Sequence, residues 1–537
     1  MPRKTHRRAS HSRTTTELAL APSPPLGIVR LLLPALLTLV LVLFVFVPVE
    51  EYDLWFHLAF AKYLQTNGHF PPGDVFSSTS FGREWISTGW LGSVLLNWLW
   101  EHAGHARNVA PICIFIFAQI AAGYLAIYVF AARRGLHLAA FVLLLPAIMT
   151  ASLRFNARPD VASQLCIGLL LIILSSVEHP IDRPTAASRS PAATAPIPWQ
   201  LYLLPPLIAL WANLHVGFMA GLMPLAAFGL QRALEWRKTH HRTNAAAALL
   251  CALSCFSWML NPYGWTLLKL PGKISSVPGI TQMLFEWMPL FQPPHNLPAL
   301  TYALLALLLL LVGAIIATSP RKPRAWEILT ALFVLAITWN ARRQLALTCV
   351  ALPILALPYA GRFNQIIARR KTWAIAGACS ATAAALAIKI SGMLVTGGWP
   401  SARMLDNTFP SGAVQFLLKH RPPDNMFNSY HYGAYLLYHL GPETKVFIDG
   451  RVDTYDAQVF VDDRAIEAGQ MTLEQAEAKY KLNTWVLDAR PGYDPGQMVR
   501  RLAANPKYVP VFADASAIVF VRRAPETAAY LQKIGKP

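Results

Sequence analysis

Seven polar residues stand beside apolar stretches long enough to cross a bilayer, and their side chains could carry acid–base or anion-binding chemistry. Basic residues cluster in alternate connections between these stretches, as the positive-inside rule requires of cytoplasmic segments. All seven polar residues then fall on the opposite, outer side. Charge near a bilayer is costly unless it has a partner or a task, so the sequence predicts a site at the outer helix ends. The residues are Asp53, His57, Arg154, Arg158, His215, Asn261 and Arg342.

Two pairs of these residues have a spacing that suggests a role. Asp53 and His57 are four residues apart, so they share one face of a helix. They could activate a hydroxyl group, hold a divalent cation or form an ion pair; alternatively, the acid caps a helix after the first span. Arg154 and Arg158 lie in a tight turn, where two guanidinium groups suit a phosphate. Snorkelling to the interface or a salt bridge to Asp160 would explain them equally well.

Further candidates lie later in the chain. His215 occupies a very short outer turn, where a histidine is more often a hydrogen-bonded structural residue. Arg342 and the arginine that follows it place positive charge outside, against the charge rule, and an anionic ligand would explain this. Asp449, Arg451 and Asp453 follow a predicted strand, a position where α/β domains often carry sites. A local ion-pair network explains those three residues as well.

The composition is that of a membrane protein. Of the 537 residues, 54% are hydrophobic and 14% charged, whereas soluble domains carry roughly 25% charge. The net charge of +19 does not indicate nucleic-acid binding, because the basic residues form short clusters between apolar runs and no nucleic-acid motif is present. All six cysteines lie within apolar runs, and their spacing matches neither a metal site nor a disulfide framework.

About eleven apolar segments are candidates for membrane spans. An odd number of spans, with basic clusters inside, predicts a cytoplasmic N-terminus and a periplasmic C-terminal region. Residues 1–27 are then a disordered, basic cytoplasmic tail, residues 28–398 a transmembrane domain and residues 399–537 a periplasmic domain. The segments are 28–49, 109–131, 136–152, 161–177, 199–213, 216–234, 245–260, 299–317, 325–339, 344–360 and 373–395.

The segments outside the spans have their own patterns. In the long first outer loop, 50–108, DLWFHLAFAKYLQ and WLGSVLLNWLW are apolar at helical spacing but too short to span easily, so they predict interfacial helices. TQMLFEWMPLF in the loop 261–298 predicts another. From Trp399 onward, helices alternate with strands, among them KVFIDGR, and the chain ends in a hairpin. This order predicts a small α/β domain.

The first outer loop, EYDLWFHLAFAKYLQTNGHFPPGDVFSSTSFGREW, resembles that of the GT-C fold glycosyltransferases. These polytopic enzymes use lipid-phosphate-linked sugars and include oligosaccharyltransferase catalytic subunits, protein mannosyltransferases and aminoarabinose transferases. The family places an acidic residue just after the first span, which Asp53 matches, and often a second acidic motif, for which Asp74 is the nearest match. The segments RFNARPD, WANLHVGF, LNPYG and NSYHYGAYLLY with VFIDGR resemble a bacterial branch of this superfamily.

The resemblance implies a glycosyltransferase of the bacterial inner membrane that moves a sugar from a polyprenyl-phosphate donor to an envelope glycan, lipid or protein. Asp53 would be the catalytic base or a ligand of a divalent cation, assisted by His57 and Asp74. Arg154, Arg158, His215 and Arg342 would bind the substrate and its phosphate. The chain lacks a WWDYG-type sequon motif, which argues against an oligosaccharyltransferase, and has Tyr52-Asp53 where mannosyltransferases have Asp-Glu.

Two other classes of protein fit the same pattern. One is a transporter or flippase of a lipid-linked or anionic substrate, although such proteins usually have polar groups near the membrane midplane and repeated halves, which this sequence lacks. The other is a non-catalytic membrane protein that binds envelope glycans through its C-terminal domain. The sequence leaves the sugar, the acceptor and any cofactor open.

Overall fold

The computed structural model describes residues 27, 29–45, 51–103, 109–181, 196–275, 284–396, 408–421, 423–490, 492–493 and 497–536. The tail 1–26 and most of the predicted cytoplasmic loop 178–198 lie outside these ranges.

Helices form the first three quarters of the chain, and a small sheet lies near its end. The helices of the first part are α1 Val29–Val45, α2 Leu54–Asn67, α3 Trp90–Ala103, α4 Ala110–Ala132, α5 His137–Ala151, α6 Val161–Glu178, α7 Leu204–Leu214, α8 Met219–Thr239, α9 Arg242–Phe256, α10 Leu270–Ser275, α11 Ala299–Thr318, α12 Ala325–Asn340, α13 Leu345–Ala356, α14 Gly361–Ala368 and α15 Lys371–Thr396.

Each predicted apolar segment coincides with a helix. Fewer than eleven of these helices, however, are both long enough and apolar enough to cross a membrane by themselves. Within the described ranges, five helices are long and apolar enough to cross a membrane, and the pair Arg342–Tyr359 and Gly361–Ala368, bent by 83°, adds a sixth if it forms one broken span. Helices α1 and α12 are apolar but shorter. The five are Ala110–Ala132, His137–Arg154, Val161–Glu178, Ala299–Thr318 and Thr372–Val395.

Helix α5 lies at the centre of the helical bundle. Almost every one of its residues is buried, because α1, α4, α11 and α13 all pack against it. The outer helices instead expose large apolar side chains, as Trp373 and Leu394 do on α15. A helical bundle with a closely packed, buried centre and an apolar rim is typical of a protein surrounded by lipid.

The first outer loop forms the two helices that its apolar spacing predicts, α2 and α3, which pack on one another. Trp55 of α2 is buried against Tyr435 of the C-terminal region, with ring centroids 4.7 Å apart. The third predicted interfacial helix does not form over its described part: residues 284–291 contain only a short 3-10 turn, Phe285–Trp287.

The C-terminal region is an α/β unit, as predicted. Its sheet has the order β1-β2-β4-β3, in which β1 and β2 are parallel and β3 and β4 form the terminal hairpin. Its elements are α16 Ser411–His420, β1 Met426–Asn428, α17 Gly433–Leu440, α18 Ala457–Glu467, α19 Leu473–Tyr480, β2 Thr484–Asp488, α20 Met498–Ala503, β3 Tyr508–Ala513, β4 Ala517–Arg522 and α21 Pro525–Lys533.

The prediction of a strand at KVFIDGR is wrong. The backbone of this segment bonds to the first outer loop instead of joining the sheet: the Val446 N–H donates to the Phe76 carbonyl at 3.0 Å, and the Ser78 N–H donates to the Val446 carbonyl at 2.8 Å. On its other side, the Asn428 side chain accepts from the Phe447 N–H and donates to the Ile448 carbonyl. The segment therefore fastens the C-terminal domain to the first loop.

Candidate functional site

A cavity of about 760 Å³ lies where the helical bundle, the first outer loop and the C-terminal domain meet. The turns between α5 and α6 and between α7 and α8 form one side, and the start of α2 forms another. The C-terminal domain closes it with residues after β1 and around Gly450. Seven candidates from the sequence line it: Asp53, His57, Arg154, Arg158, His215, Arg451 and Asp453.

An ion-pair network runs along the bundle side of the cavity. Arg154 contacts Asp160 and Glu286, each with a nitrogen–oxygen distance of 2.7 Å. Arg158 lies 2.6 Å from Glu51, 3.1 Å from Asp53 and 3.1 Å from Glu286. The salt bridge to Asp160 that the sequence offered as an alternative is therefore present at Arg154, while Arg158 is directed towards Asp53.

Asp53 precedes the first residue of α2, and its backbone N–H donates to Glu51 at 3.2 Å. Burial raises the pKa of the Asp53 carboxyl to about 7; Arg158 opposes this rise, and Glu51 and Glu286 add to it. A carboxyl group with a pKa near neutrality can accept a proton from a substrate hydroxyl and release it again.

Two of the three histidines that line the cavity, His57 and His215, are neutral. Burial lowers the pKa of His57 to about 3 and that of His215 to about 4. His57 bonds through Nδ1 to the Ser93 hydroxyl at 2.8 Å. In His215, Nδ1 accepts from the Gly217 N–H at 3.0 Å and also contacts the Ser163 hydroxyl. The ring proton of His215 is therefore on Nε2, where it can serve as a hydrogen-bond donor.

The second acidic candidate, Asp74, does not line the cavity. It accepts hydrogen bonds from the Phe76 N–H and the Ser77 hydroxyl, and it pairs with Arg451 at 2.8 Å. Arg451 also forms a two-pronged contact with Asp449, at 2.8 and 2.6 Å. Asp74 thus belongs to a fully buried network that joins the first loop to the C-terminal domain. Within this network Arg451 lines the cavity, whereas Asp74 does not.

Asp453 is the acid that the C-terminal domain contributes to the cavity. Its Oδ2 atom is buried and has no hydrogen-bond partner among the described residues. Burial raises its pKa to about 6. Of the three candidates in this domain, Asp453 and Arg451 therefore face the cavity, while Asp449 anchors Arg451.

Arg342 is displaced from the cavity by its neighbour. The Nε of Arg342 donates to the Pro289 carbonyl at 3.1 Å, and its guanidinium stacks on the Phe285 ring at 4.4 Å. Among the described residues, Arg343 lines the cavity instead and lies 3.4 Å from Glu286. The phosphate contact expected of Arg342 has no geometric support, because the 3-10 turn that follows α12 directs the next side chain inward.

Reasoning from sequence missed Glu286, which lies at the centre of this network. Burial alone would raise its pKa, but Arg158, Arg343 and Arg154 outweigh burial and lower the pKa below its usual range. It is the single acid in the apolar segment TQMLFEWMPLF. An isolated charge in such a segment indicates a charged partner elsewhere, and that signal could have found it.

The described residues do not fit a divalent cation. Nowhere in the described ranges do three or more His, Cys, Asp or Glu side chains form a group that could hold a metal ion. The carboxylates nearest to Asp53 are occupied by Arg158, and Asp74 is saturated by hydrogen bonds and Arg451. We therefore assign no metal to this site.

The overall structure is similar to solved membrane glycosyltransferases. The Archaeoglobus fulgidus oligosaccharyltransferase in its apo form matches with a TM-score of 0.51 and 12% identity, over 85% of this chain and 69% of that one. The same enzyme tethered to an acceptor peptide matches with a TM-score of 0.52 and 13% identity, over 93% and 74%. ArnT from Cupriavidus metallidurans in the apo state has a TM-score of 0.49 and 13% identity, over 92% and 98%.

No protein-family model matches the sequence, and no curated protein sequence matches it either. At these identities the likeness to the archaeal oligosaccharyltransferase concerns the fold. It extends over most of both chains. The chain therefore has the GT-C fold of the polytopic membrane glycosyltransferases, as the residues of the first outer loop predicted.

Proposed function

We propose that this protein is a membrane glycosyltransferase that moves a sugar from a polyprenyl-phosphate donor to an envelope acceptor on the periplasmic face of the inner membrane. The observation that carries the proposal is the position of Asp53, with a pKa near 7, beside guanidinium groups in one cavity of a GT-C fold. Base catalysis and phosphate binding are the two tasks that such a transfer requires.

The transfer follows from these positions. Asp53 accepts the proton of an acceptor hydroxyl as the acceptor oxygen bonds to the anomeric carbon of the sugar. The bond between that carbon and the phosphate oxygen breaks, and the polyprenyl phosphate leaves with the electron pair. Arg154, Arg158 and Arg343 face the growing negative charge on the phosphate, where fixed cations lower the barrier most.

The donor phosphate has to compete with Glu286, whose carboxylate is held by the same three arginines. Arginine forks bind carboxylates and phosphates in the same way, so Glu286 takes the place of the anion when the donor is absent. On this side of the cavity, Leu153 and Phe285 are also exposed at the protein surface. These apolar side chains offer a route for the polyprenyl chain from the surrounding lipid.

The test is complementation of a strain that lacks the gene. Wild-type protein should restore the envelope glycans and deplete the lipid-linked sugar that accumulates without it, both followed by mass spectrometry. Asp53→Asn keeps the shape of the side chain but loses the base, so transfer should fall by about 10²–10⁴-fold, while the protein still binds polyprenyl phosphate. Folded Asp53→Asn protein at normal abundance that transfers sugar at the wild-type rate would refute the assignment.

A further inference from the structure

Arg158 lies among three carboxylates that come from distant parts of the chain. Its Nε is 2.6 Å from Glu51, and its Nη1 is 3.1 Å from both Asp53 and Glu286. Glu51 is buried and the other two are largely buried, so water screens their mutual repulsion weakly. A cation between its members offsets this repulsion, which would otherwise destabilise the fold or force protonation of an acid.

Proteins commonly place a divalent metal ion at a point where carboxylate oxygens converge. Here the Nη1 atom of Arg158 stands at that point, within contact distance of two carboxylates at once. The other acid that could complete a metal site, Asp74, is directed away and neutralised by Arg451. Three acids of the first loop, Glu51, Asp53 and Asp74, are thus each paired with an arginine from another segment.

We propose that Arg158 is a built-in cation that occupies the position of a divalent metal ion beside Asp53. A guanidinium carries a permanent positive charge and can contact carboxylates on one edge and a phosphate on another. The cavity therefore needs no metal ion to gather its acids or to receive an anionic ligand. This inference concerns the charge balance of the cavity and does not depend on which group is transferred there.

The test measures Mn²⁺ binding to the full-length protein, purified in detergent without an affinity tag, by the electron paramagnetic resonance signal of the free ion. Wild-type protein should show no Mn²⁺ site that depends on Asp53. Glu51, Asp53 and Glu286 do not form a metal-holding group as they are arranged around the guanidinium. Arg158→Gln removes the charge and lets these carboxylates approach a common ion, so Mn²⁺ affinity should rise at least about tenfold once the repulsion of the guanidinium is gone. Arg158→Lys keeps the charge and is the matched control, in which affinity should stay at the wild-type level.

A second substitution tests whether the Mn²⁺ binding gained by Arg158→Gln depends on Asp53. Asp53→Asn in the Arg158→Gln background should abolish the gained Mn²⁺ binding. The proposal is overturned if wild-type protein binds Mn²⁺ in a way that Asp53→Asn removes, or if folded Arg158→Gln protein gains no Mn²⁺ affinity. If Arg158→Gln does not fold, the comparison of wild type with Asp53→Asn decides alone, since any Asp53-dependent binding contradicts the proposal and its absence supports it. Sugar transfer is not measured, so a failure of the proposed function would leave these results unchanged.

Discussion

At the scale of single residues, the protonation of Asp53 governs what the cavity can do. Its carboxyl group is largely buried beside Arg158 and two other acids, Glu51 and Glu286. Arg158 also contacts those two acids, so its positive charge does not lower the pKa of Asp53 enough to offset burial. The neighbouring histidines are neutral at physiological pH. On the bundle side of the cavity, Asp53 is therefore the group whose ionisation changes near pH 7, while burial raises the pKa of Asp453, on the C-terminal side, to about 6.

The pH dependence of transfer should report this ionisation. A base works in its deprotonated form, so kcat/KM should rise with pH and level off above an apparent pKa of about 7. His57 and His215 have lost their protons well below that pH and should not shape this limb. The measurement is a pH–rate profile of sugar transfer in detergent or proteoliposomes. If the rise of kcat/KM with pH is unchanged in Asp53→Asn protein, the ionisation belongs to another group.

Gly450 lets the C-terminal domain approach Asp53. A methyl group at position 450 would overlap with Oδ1 of Asp53, whereas the space around Gly361 is open. Gly450→Ala should therefore shift the Asp53 carboxylate and reduce kcat by about 10²-fold, the loss that a small misplacement of a catalytic group can cause. Gly361→Ala is the control and should keep wild-type activity. Both variants should be compared by transfer rate and thermal unfolding, and full activity in Gly450→Ala would contradict the close approach.

At the scale of elements, the short 3-10 turn Phe285–Trp287 decides whether the arginines are free for a ligand. It inserts Glu286 between Arg154, Arg158 and Arg343, although the segment TQMLFEWMPLF predicts an interfacial helix. Two further contacts hold it: Arg342 stacks on Phe285, and Arg343 stacks on Trp287. The turn and the arginines after α12 thus act together.

Glu286→Gln should strengthen the binding of polyprenyl phosphate. The change removes the carboxylate that competes for three guanidinium groups, and a gain of about 1.4 kcal/mol corresponds to a tenfold lower Kd. Isothermal titration of the purified protein with polyprenyl phosphate in detergent measures it. Glu84→Gln is the control, because Glu84 pairs with Lys273 at the surface away from the cavity. Equal or weaker binding by Glu286→Gln would show that Glu286 does not compete with the phosphate.

At the scale of the whole molecule, the C-terminal domain is a wall of the site. The network of Asp74, Arg451 and Asp449 fastens it to the first loop, and its members are fully buried. A second contact lies nearby: Arg490 donates to the Tyr52 hydroxyl at 3.3 Å and pairs with Asp488 at the end of β2. The residue before Asp53 is thereby tied to the sheet.

Arg451→Met should destabilise the joined structure. It leaves Asp74 and Asp449 buried without a positive partner, and losing one member of a buried ion pair typically costs about 3–5 kcal/mol. The expected result is a lower unfolding temperature in detergent and faster proteolysis between the bundle and the C-terminal domain. The control is Arg83→Met, whose side chain is 45% exposed and pairs at the surface with Asp456, which is 54% exposed. An unchanged unfolding temperature in Arg451→Met would mean that the network contributes little.

We expect the basic connections to set the orientation of the molecule in the membrane. Cysteines introduced singly at Ala515 and Lys238, both exposed, into a variant without the six natural cysteines should react differently with a membrane-impermeant thiol reagent. In intact spheroplasts, the cysteine at 515 should be labelled and that at 238 should not, because basic connections stay inside. The reverse labelling pattern would invert the proposed topology.

Local patterns in the sequence determined most, but not all, of the elements of this protein: the predictions of a strand at KVFIDGR and of a third interfacial helix were wrong over their described residues. The helices at all eleven apolar segments, the two helices of the first loop and the terminal hairpin follow from apolar spacing, which each segment carries by itself. The pattern also indicated that Asp53, Arg154 and Arg158 lie at helix ends. The lengths and apolarity of the helices do not fix the number of membrane spans, because several helices are shorter than a membrane is thick.

Only the tertiary structure decided which charges meet. Glu286 reaches Arg154 across 132 residues of sequence, and Arg451 reaches Asp74 across 377. The choice between Arg342 and Arg343 depended on a single 3-10 turn, which directs one of two adjacent side chains into the cavity. Pairing between distant charges depends on how the helices and the C-terminal domain pack, and no local spacing encodes that packing.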